Sequence, residues 1–178
     1  MGIGTHKCVP YDKQKNYFCA GEMMMEIYNS SVKYEQKLPD GTLMTSQYTN
    51  EEFEFICENL IRHNVENTFG LLKKPGVDIV LFLKIDDKVI GAISCDTFNM
   101  SLYIDVMWLD KAYRGRGYGK ALLEQAEIIA KEKGCIFSHT STFSYQSPEF
   151  YKACGYEIFA ELNDYPNDIV QYFYKKKL

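Results

Sequence analysis

One stretch of about thirty residues limits what this chain can fold into. Residues 100–109 (MSLYIDVMWL) are almost continuously apolar, aromatic or β-branched, the composition of a central strand covered on both faces. A few residues later comes Arg114-Gly115-Arg116-Gly117-Tyr118-Gly119. Residues 117–133 then carry Leu122, Leu123, Ala126, Ile129 and Ala130 at helical spacing, with Glu124, Glu127, Lys131 and Glu132 on the wet face and Gly134 as a C-cap. A buried strand feeding an amphipathic helix through a glycine-rich turn requires a sheet with a helix layered on it.

The rest of the chain supplies more of the same. Residues 23–34 read as an apolar, partly alternating strand, followed by a turn at Leu38-Pro39-Asp40-Gly41. Residues 50–69 form a helix with Thr49 or Asn50 as N-cap and Glu51 and Glu52 in the first turn, where negative charge suits the helix dipole. Its apolar face is Phe53, Ile56, Leu60, Ile61 and Val65. Residues 77–85 and 89–95 make a hairpin around Asp86-Asp87. Beyond Gly134, the pattern predicts a strand at 135–140, a short helix at 148–154 stopped by Gly155, and strands at 156–162 and 169–174 joined by the loop 163–167. The expected architecture is a mixed α/β sheet with helices on both faces. Residues 23–178 form one domain. Residues 1–22 show no period and read as an extension or a first strand.

Composition narrows the function. The formal net charge is -4 and the pI about 5.4, which lacks the basic footprint of a nucleic-acid binder. An acidic chain admits a cationic amine more readily than an anion. The run Lys175-Lys176-Lys177 reads as a solvated tail. Six cysteines (Cys8, Cys19, Cys57, Cys95, Cys135 and Cys154) form no CxxC pair, and three histidines are too few to complete a metal site with them. We expect no metal, reduced buried thiols and a cytoplasmic location. No apolar run reaches membrane-spanning length. Met1-Gly2 opens like a myristoylation site, but His6 stands where Ser or Thr is needed.

The glycine-rich turn has its own chemistry. First-turn N–H groups of a helix lack internal acceptors and the dipole adds positive charge there. Glycines let the backbone approach an anion, so the turn makes a cradle for phosphate or pyrophosphate to which Arg114 and Arg116 add charge. The bland alternative is a strand-to-helix turn with two solvated arginines. A GxxxxGK[ST] loop is absent, and the GxGxxG spacing of a dinucleotide fold is not met.

Arg114-x-x-Gly117-x-Gly119 resembles the R/Q-x-x-G-x-G/A signature of GNAT acetyltransferases. Phe150-Tyr151-Lys152-Ala153-Cys154-Gly155-Tyr156 resembles that superfamily's FYxxxGF segment, at a fitting distance downstream. The segments Thr142-Phe143-Ser144-Tyr145-Gln146 and Asp164-Tyr165-Pro166 resemble one bacterial subgroup. The likeness covers residues 77–178, extends to the first helix and stops short of the first 40 residues. It implies a mostly antiparallel sheet that splays open after the 102–109 strand, with acetyl-CoA in the opening. The pantetheine would pair with backbone at Met107, Trp108 and Leu109. The pyrophosphate would sit on residues 115–120: Gly115, Arg116, Gly117, Tyr118, Gly119 and Lys120. Ser144 falls where many members carry a cofactor-contacting Asn.

Amine acetylation needs a base to free the nitrogen lone pair and an acid for the leaving thiolate. The resemblance places Tyr151 as that acid. In some members the base is a Glu that aligns with Tyr103, and Asp105, two residues on, should share its strand face. A carboxylate in an apolar strand is costly unless paired or functional, so Asp105 is a candidate base, with Glu149, Asp164 and His139 behind it. His63 reads as a helix-surface residue. The leading reading is acetylation of a primary amine on a small molecule. Acetylation of a protein lysine or N-terminus, non-catalytic acyl-CoA binding, and a homodimeric assembly all stay open.

Overall fold

The computed structural model describes residues 33–68 and 76–178. They fall into two compact units divided between Lys73 and Lys74. The expected extension at 1–22 and most of the strand expected at 23–34 lie outside the described residues.

In the first unit, β1 (Glu35–Lys37) and β2 (Leu43–Thr45) pair antiparallel around the expected turn. Gly41 supplies the left-handed φ of 90° there, and Asp40 Oδ1 accepts from the Thr42 N–H at 2.9 Å. Helix α1 (Asn50–Asn67) starts at Thr49 with a capping box. The Glu52 N–H donates to Thr49 Oγ1 and the Thr49 N–H to Glu52 Oε2. Its apolar positions are not buried: Phe55, Ile56 and Leu60 are all exposed.

The second unit is a six-stranded sheet: β3 (Asp78–Ile85), β4 (Lys88–Phe98), β5 (Ser101–Leu109), β6 (Phe137–Phe143), β7 (Glu157–Leu162) and β8 (Gln171–Lys177), in the order β3-β4-β5-β6-β8-β7. Every neighbouring pair is antiparallel except β5 and β6. That parallel pair needs a long crossover, which contains α2 (Tyr118–Glu132). Helix α3 (Pro148–Ala153) follows β6. The β3–β4 hairpin turns at Asp86 and Asp87, with φ 47° and 61°, the mirror-image turn that matches strand twist.

Alternation along the strands builds the core. Ile93 and Cys95 of β4 and Leu102 and Ile104 of β5 face Leu122, Leu123, Ala126 and Ala130 of α2, with Tyr151, Tyr156 and Tyr174 in the same cluster. Both α2 and α3 therefore contribute to one face of the sheet. Both faces of β5 are buried at Ser101 and Leu102, as its apolar run predicts, while Val106 and Trp108 in its second half are exposed.

Two charged features depart from the sequence reading. Glu127, expected on the wet face of α2, is buried. Its carboxylate accepts from the Tyr156 hydroxyl at 2.8 Å and from Lys176 Nζ at 2.7 and 3.0 Å. The Tyr156 hydroxyl also meets Ser138 Oγ at 2.8 Å. The three lysines expected as a loose tail are the end of β8, and Lys175 reaches Glu157 at 3.5 Å. A buried charge survives only when paired and hydrogen-bonded, and Lys176 is what makes Glu127 tolerable inside. Removing one member of such a pair leaves the other uncompensated. Glu127→Ala should therefore lower unfolding stability by about 3 kcal/mol, measured by urea denaturation. Lys175→Ala, at an exposed pair, should change it by less than about 1 kcal/mol.

Candidate functional site

The sheet parts at its parallel seam. β5 and β6 pair only from Ser101↔Phe137 to Ile104↔Thr140. At the last rung the Thr140 hydroxyl donates to the Ile104 carbonyl at 2.9 Å. Beyond it, β5 continues against β4, and β6 continues against β8 as far as Phe143↔Gln171. The opening implied by the GNAT resemblance is present: it lies between β5 and β6 and leaves the edge of residues 105–109 without a β6 partner.

Asp105 stands at this point as the extra residue of a bulge. Cys95 pairs with Ile104 and Ser94 with Val106, so Asp105 has no rung of its own. Strict alternation, used to place Asp105 on the face of Tyr103, therefore does not apply: Val106 continues that face. The carboxylate still acts on Tyr103. Burial raises the Tyr103 phenol pKa, and the negative charges of Asp105 and Asp96 raise it further.

The glycine loop follows β5. Asp110 Oδ1 accepts from the Ala112 N–H at 2.9 Å, and Arg114 Nε donates back to the Leu109 carbonyl at 2.9 Å. Arg114 thus braces the loop against the strand end, a role its motif position did not reveal. The Arg116 guanidinium lies 5.5 Å from the Tyr113 ring centroid. Gly115 and Gly117 have φ 73° and 84°. Gly117 is the N-cap of α2, with no side-chain cap, and the Ala121 N–H bonds its carbonyl at 3.0 Å. The N–H groups of Tyr118, Gly119 and Lys120 belong to the first turn, which has no intrahelical acceptors. A Cβ on Gly119 would stand 3.3 Å from both Met107 Cε and Phe150 Cε2, so hydrogen at this position lets the start of α2 pack closely on those side chains. Such a cradle fits a pyrophosphate. Lys120 is exposed and 3.6 Å from Glu124.

Met107 lies on the α2 side, as its contact to Gly119 shows, while Trp108 alternates to the other face and is 51% exposed. Leu109 packs at Gly91, where an added Cβ would collide with its Cδ1 at 2.7 Å. Ser144 closes the far end of β6: its N–H donates to the Val170 carbonyl at 2.8 Å, and its hydroxyl accepts from the Val170 N–H at 3.2 Å.

Tyr151 comes from α3 to the parting on the α2 side. It is buried among Phe150, Tyr156 and Tyr174, with ring centroids 5.2, 5.7 and 5.6 Å away. Burial pushes its phenol pKa up to about 12, against a smaller lowering by its hydrogen bond with Thr140. Thr140 therefore touches both the Ile104 carbonyl and the Tyr151 phenol. Tyr174 holds α3 in place, donating from its hydroxyl to the Pro148 carbonyl at 3.1 Å.

The opposite face carries a polar chain that sequence reasoning missed. Ser141 hydrogen-bonds Tyr103, Gln171 Nε2 donates to Ser141 Oγ at 3.1 Å, and the Tyr165 hydroxyl donates to Gln171 Oε1 at 2.9 Å. The His139 ring lies 5.1 Å from that of Tyr103, and burial lowers the imidazole pKa. Phe143 stacks on Tyr145 at 5.4 Å and meets Tyr165 edge-on at 5.3 Å. The available signal was period two: residues 137, 139, 141 and 143 of one strand share this face. Among the remaining candidates, Glu149 is exposed and paired to Lys152 at 2.8 Å, and Asp164 is exposed in the 163–167 loop. His63 lies on α1 in the first unit, with Asn67 Nδ2 at 3.3 Å from its Nδ1.

A six-stranded sheet parted at its one parallel seam, with a glycine cradle at the end of one strand and a buried tyrosine at the apex, is the arrangement of a CoA-dependent acyltransferase. The model of the acetyltransferase (GNAT) family matches residues 42–156, and the chain belongs to that family. It is 40% identical over 78 residues to the blasticidin-S acetyltransferase of Streptomyces morookaense, covering 43% of this chain and 57% of that protein; the chain therefore spans little more than half the length of that relative. Its fold matches an acetyltransferase from Bacillus cereus ATCC 14579, with TM-score 0.68 and 35% identity over 75% of this chain and 96% of the other. It also matches a protein from Bacillus anthracis described as a streptothricin acetyltransferase and solved with acetyl coenzyme A, with TM-score 0.53 and 25% identity over 57% and 63% of the two chains.

The left-handed glycine is the most exposed part of this arrangement to test. Gly117→Val places a β-branched residue at φ 84°, which costs on the order of 1–2 kcal/mol or forces the turn to rearrange. Coenzyme A binding, read by isothermal titration calorimetry, should weaken by about tenfold or more.

Proposed function

We propose that the chain is an acetyl-CoA-dependent N-acetyltransferase that acylates a primary amine on a small molecule by direct attack in a ternary complex. The observation that carries this reading is the end of the β5–β6 ladder at Ile104, with the glycine cradle at one end of the opening and Tyr151 at its apex. Acetyl-CoA, when bound, supplies an activated thioester carbonyl there. The N–H groups of residues 115–120 hold its pyrophosphate, helped by the charges of Arg114 and Arg116. The edge of β5 at Met107, Trp108 and Leu109, which β6 has left, accommodates the pantetheine arm. Ser144 serves this end of the site by fixing β6 to the start of β8.

Tyr151 acts as the acid. A phenol with its pKa raised to about 12 stays protonated at neutral pH and can give its proton to a thiolate as the sulfur leaves. Asp105, at the bulge beside Tyr103, contributes negative charge that favours an ammonium group at the apex. The small-molecule preference rests on two observations. The relatives named for blasticidin S and streptothricin point to antibiotics as acceptors. The exposed rings of Tyr145 and Tyr165 beside Phe143 offer stacking surface to an organic molecule.

The test is coenzyme A release with a panel containing blasticidin S, streptothricin, polyamines and a lysine peptide. Turnover confined to small amines supports the reading; turnover of the peptide alone, or of none, refutes it. With the best acceptor, Tyr151→Phe should lower kcat by about 100-fold with KM for acetyl-CoA little changed.

A further inference from the structure

We propose that His139 accepts the proton from the incoming ammonium group, so that base and acid flank the end of the β5–β6 ladder from opposite faces of the sheet. This rests on the acetyl-transfer reading above and assigns a residue to its unfilled half.

The geometry comes from the ladder. His139 pairs with Tyr103 one rung before the last, and Thr140 pairs with Ile104 at the last. Neighbouring residues of a strand point to opposite faces. Thr140 points to the α2 side, where it meets Tyr151. His139 points the other way, its ring 5.1 Å from Tyr103 and 5.9 Å from Phe137. The two proton-handling groups therefore flank the parting from its two sides. An amine that approaches from the His139 side has the acid on the far side of the carbonyl, where the sulfur departs.

The neighbours decide which group takes the proton. Tyr103 on β5 and Lys175 on β8 pair directly with His139, Ser141 shares its face of β6, and Lys175 is held 3.5 Å from Glu157; Asp105 and Asp96 lie beyond, where their charges act on Tyr103. Tyr103 is a poor acceptor: burial and the two aspartates hold its proton on. Burial keeps the imidazole below its ordinary pKa, hence neutral and able to accept near pH 7. The Ser141–Gln171–Tyr165 chain fixes Tyr103, and with it the wall against which the imidazole packs.

The step balances without any further reactant. An imidazole nitrogen takes one proton from R–NH3+, and the freed lone pair forms the C–N bond at the thioester carbonyl. The C–S bond breaks and Tyr151 gives its proton to sulfur. The second N–H proton restores the Tyr151 phenol, and the imidazolium releases its proton to solvent.

The experiment pairs two acceptors and one spectrum. In His139→Gln, kcat/KM with the best alkylamine of the panel should fall about 100-fold. With hydroxylamine, which is already neutral at neutral pH and needs no base, it should change only slightly. In the wild type, histidine ring resonances followed by NMR without substrate, assigned by loss in His139→Gln and His139→Asn, should give His139 a midpoint below about 6.5. Equal losses with both acceptors, or a midpoint at or above that value, overturns the assignment while leaving acetyl transfer intact. A wild-type enzyme that turns over no amine overturns acetyl transfer itself, and this assignment with it.

Discussion

At the last rung of the parallel seam, the Thr140 hydroxyl donates to the Ile104 carbonyl and also hydrogen-bonds Tyr151. The backbone ladder between β5 and β6 ends there, yet neither strand is left as an open edge along its whole length. β5 keeps β4, and β6 keeps β8. A sheet can part only where each half is stable without the seam. The apolar cluster under β4, β5 and α2 secures one half, and the tyrosines of α3 and β8 secure the other. The opening is thus held by packing on both sides.

The same economy governs the charged interior. Glu127, Lys176, Tyr156 and Ser138 join α2, β8, the residue before β7 and β6, which ties α2 to β6 and β8. The front of α2 carries the glycine cradle. A network of this kind offsets desolvation only with good geometry, and here every member has a partner within 3.0 Å.

Much of this was legible in the sequence, and the failures have physical causes. The strands and helices of residues 77–178 appear in the predicted order because period-two and period-3.6 patterns report burial directly. The left-handed turn ahead of α2 was legible because glycine is the residue that adopts positive φ at no steric cost, as Gly115 and Gly117 do. Glu127 and Lys176 were misread because a charge is usually outside, and their pairing joins positions 49 residues apart. The bulge at Asp105 was not legible, because an extra residue resets alternation and leaves no local signature. The polar chain was not legible: Tyr103, Ser141, Gln171 and Tyr165 come from four segments whose proximity exists only once β6 pairs with both β5 and β8.

In the proposed acetyl transfer, the acyl group is delivered at the parting between Ile104 and Thr140. A crystal structure with coenzyme A would show this. Pyrophosphate oxygens should lie on the N–H groups of residues 115–120, and the sulfur within hydrogen-bond reach of the Tyr151 hydroxyl. Coenzyme A bound with its sulfur away from the β5–β6 parting, or its pyrophosphate off the glycine cradle, would contradict it.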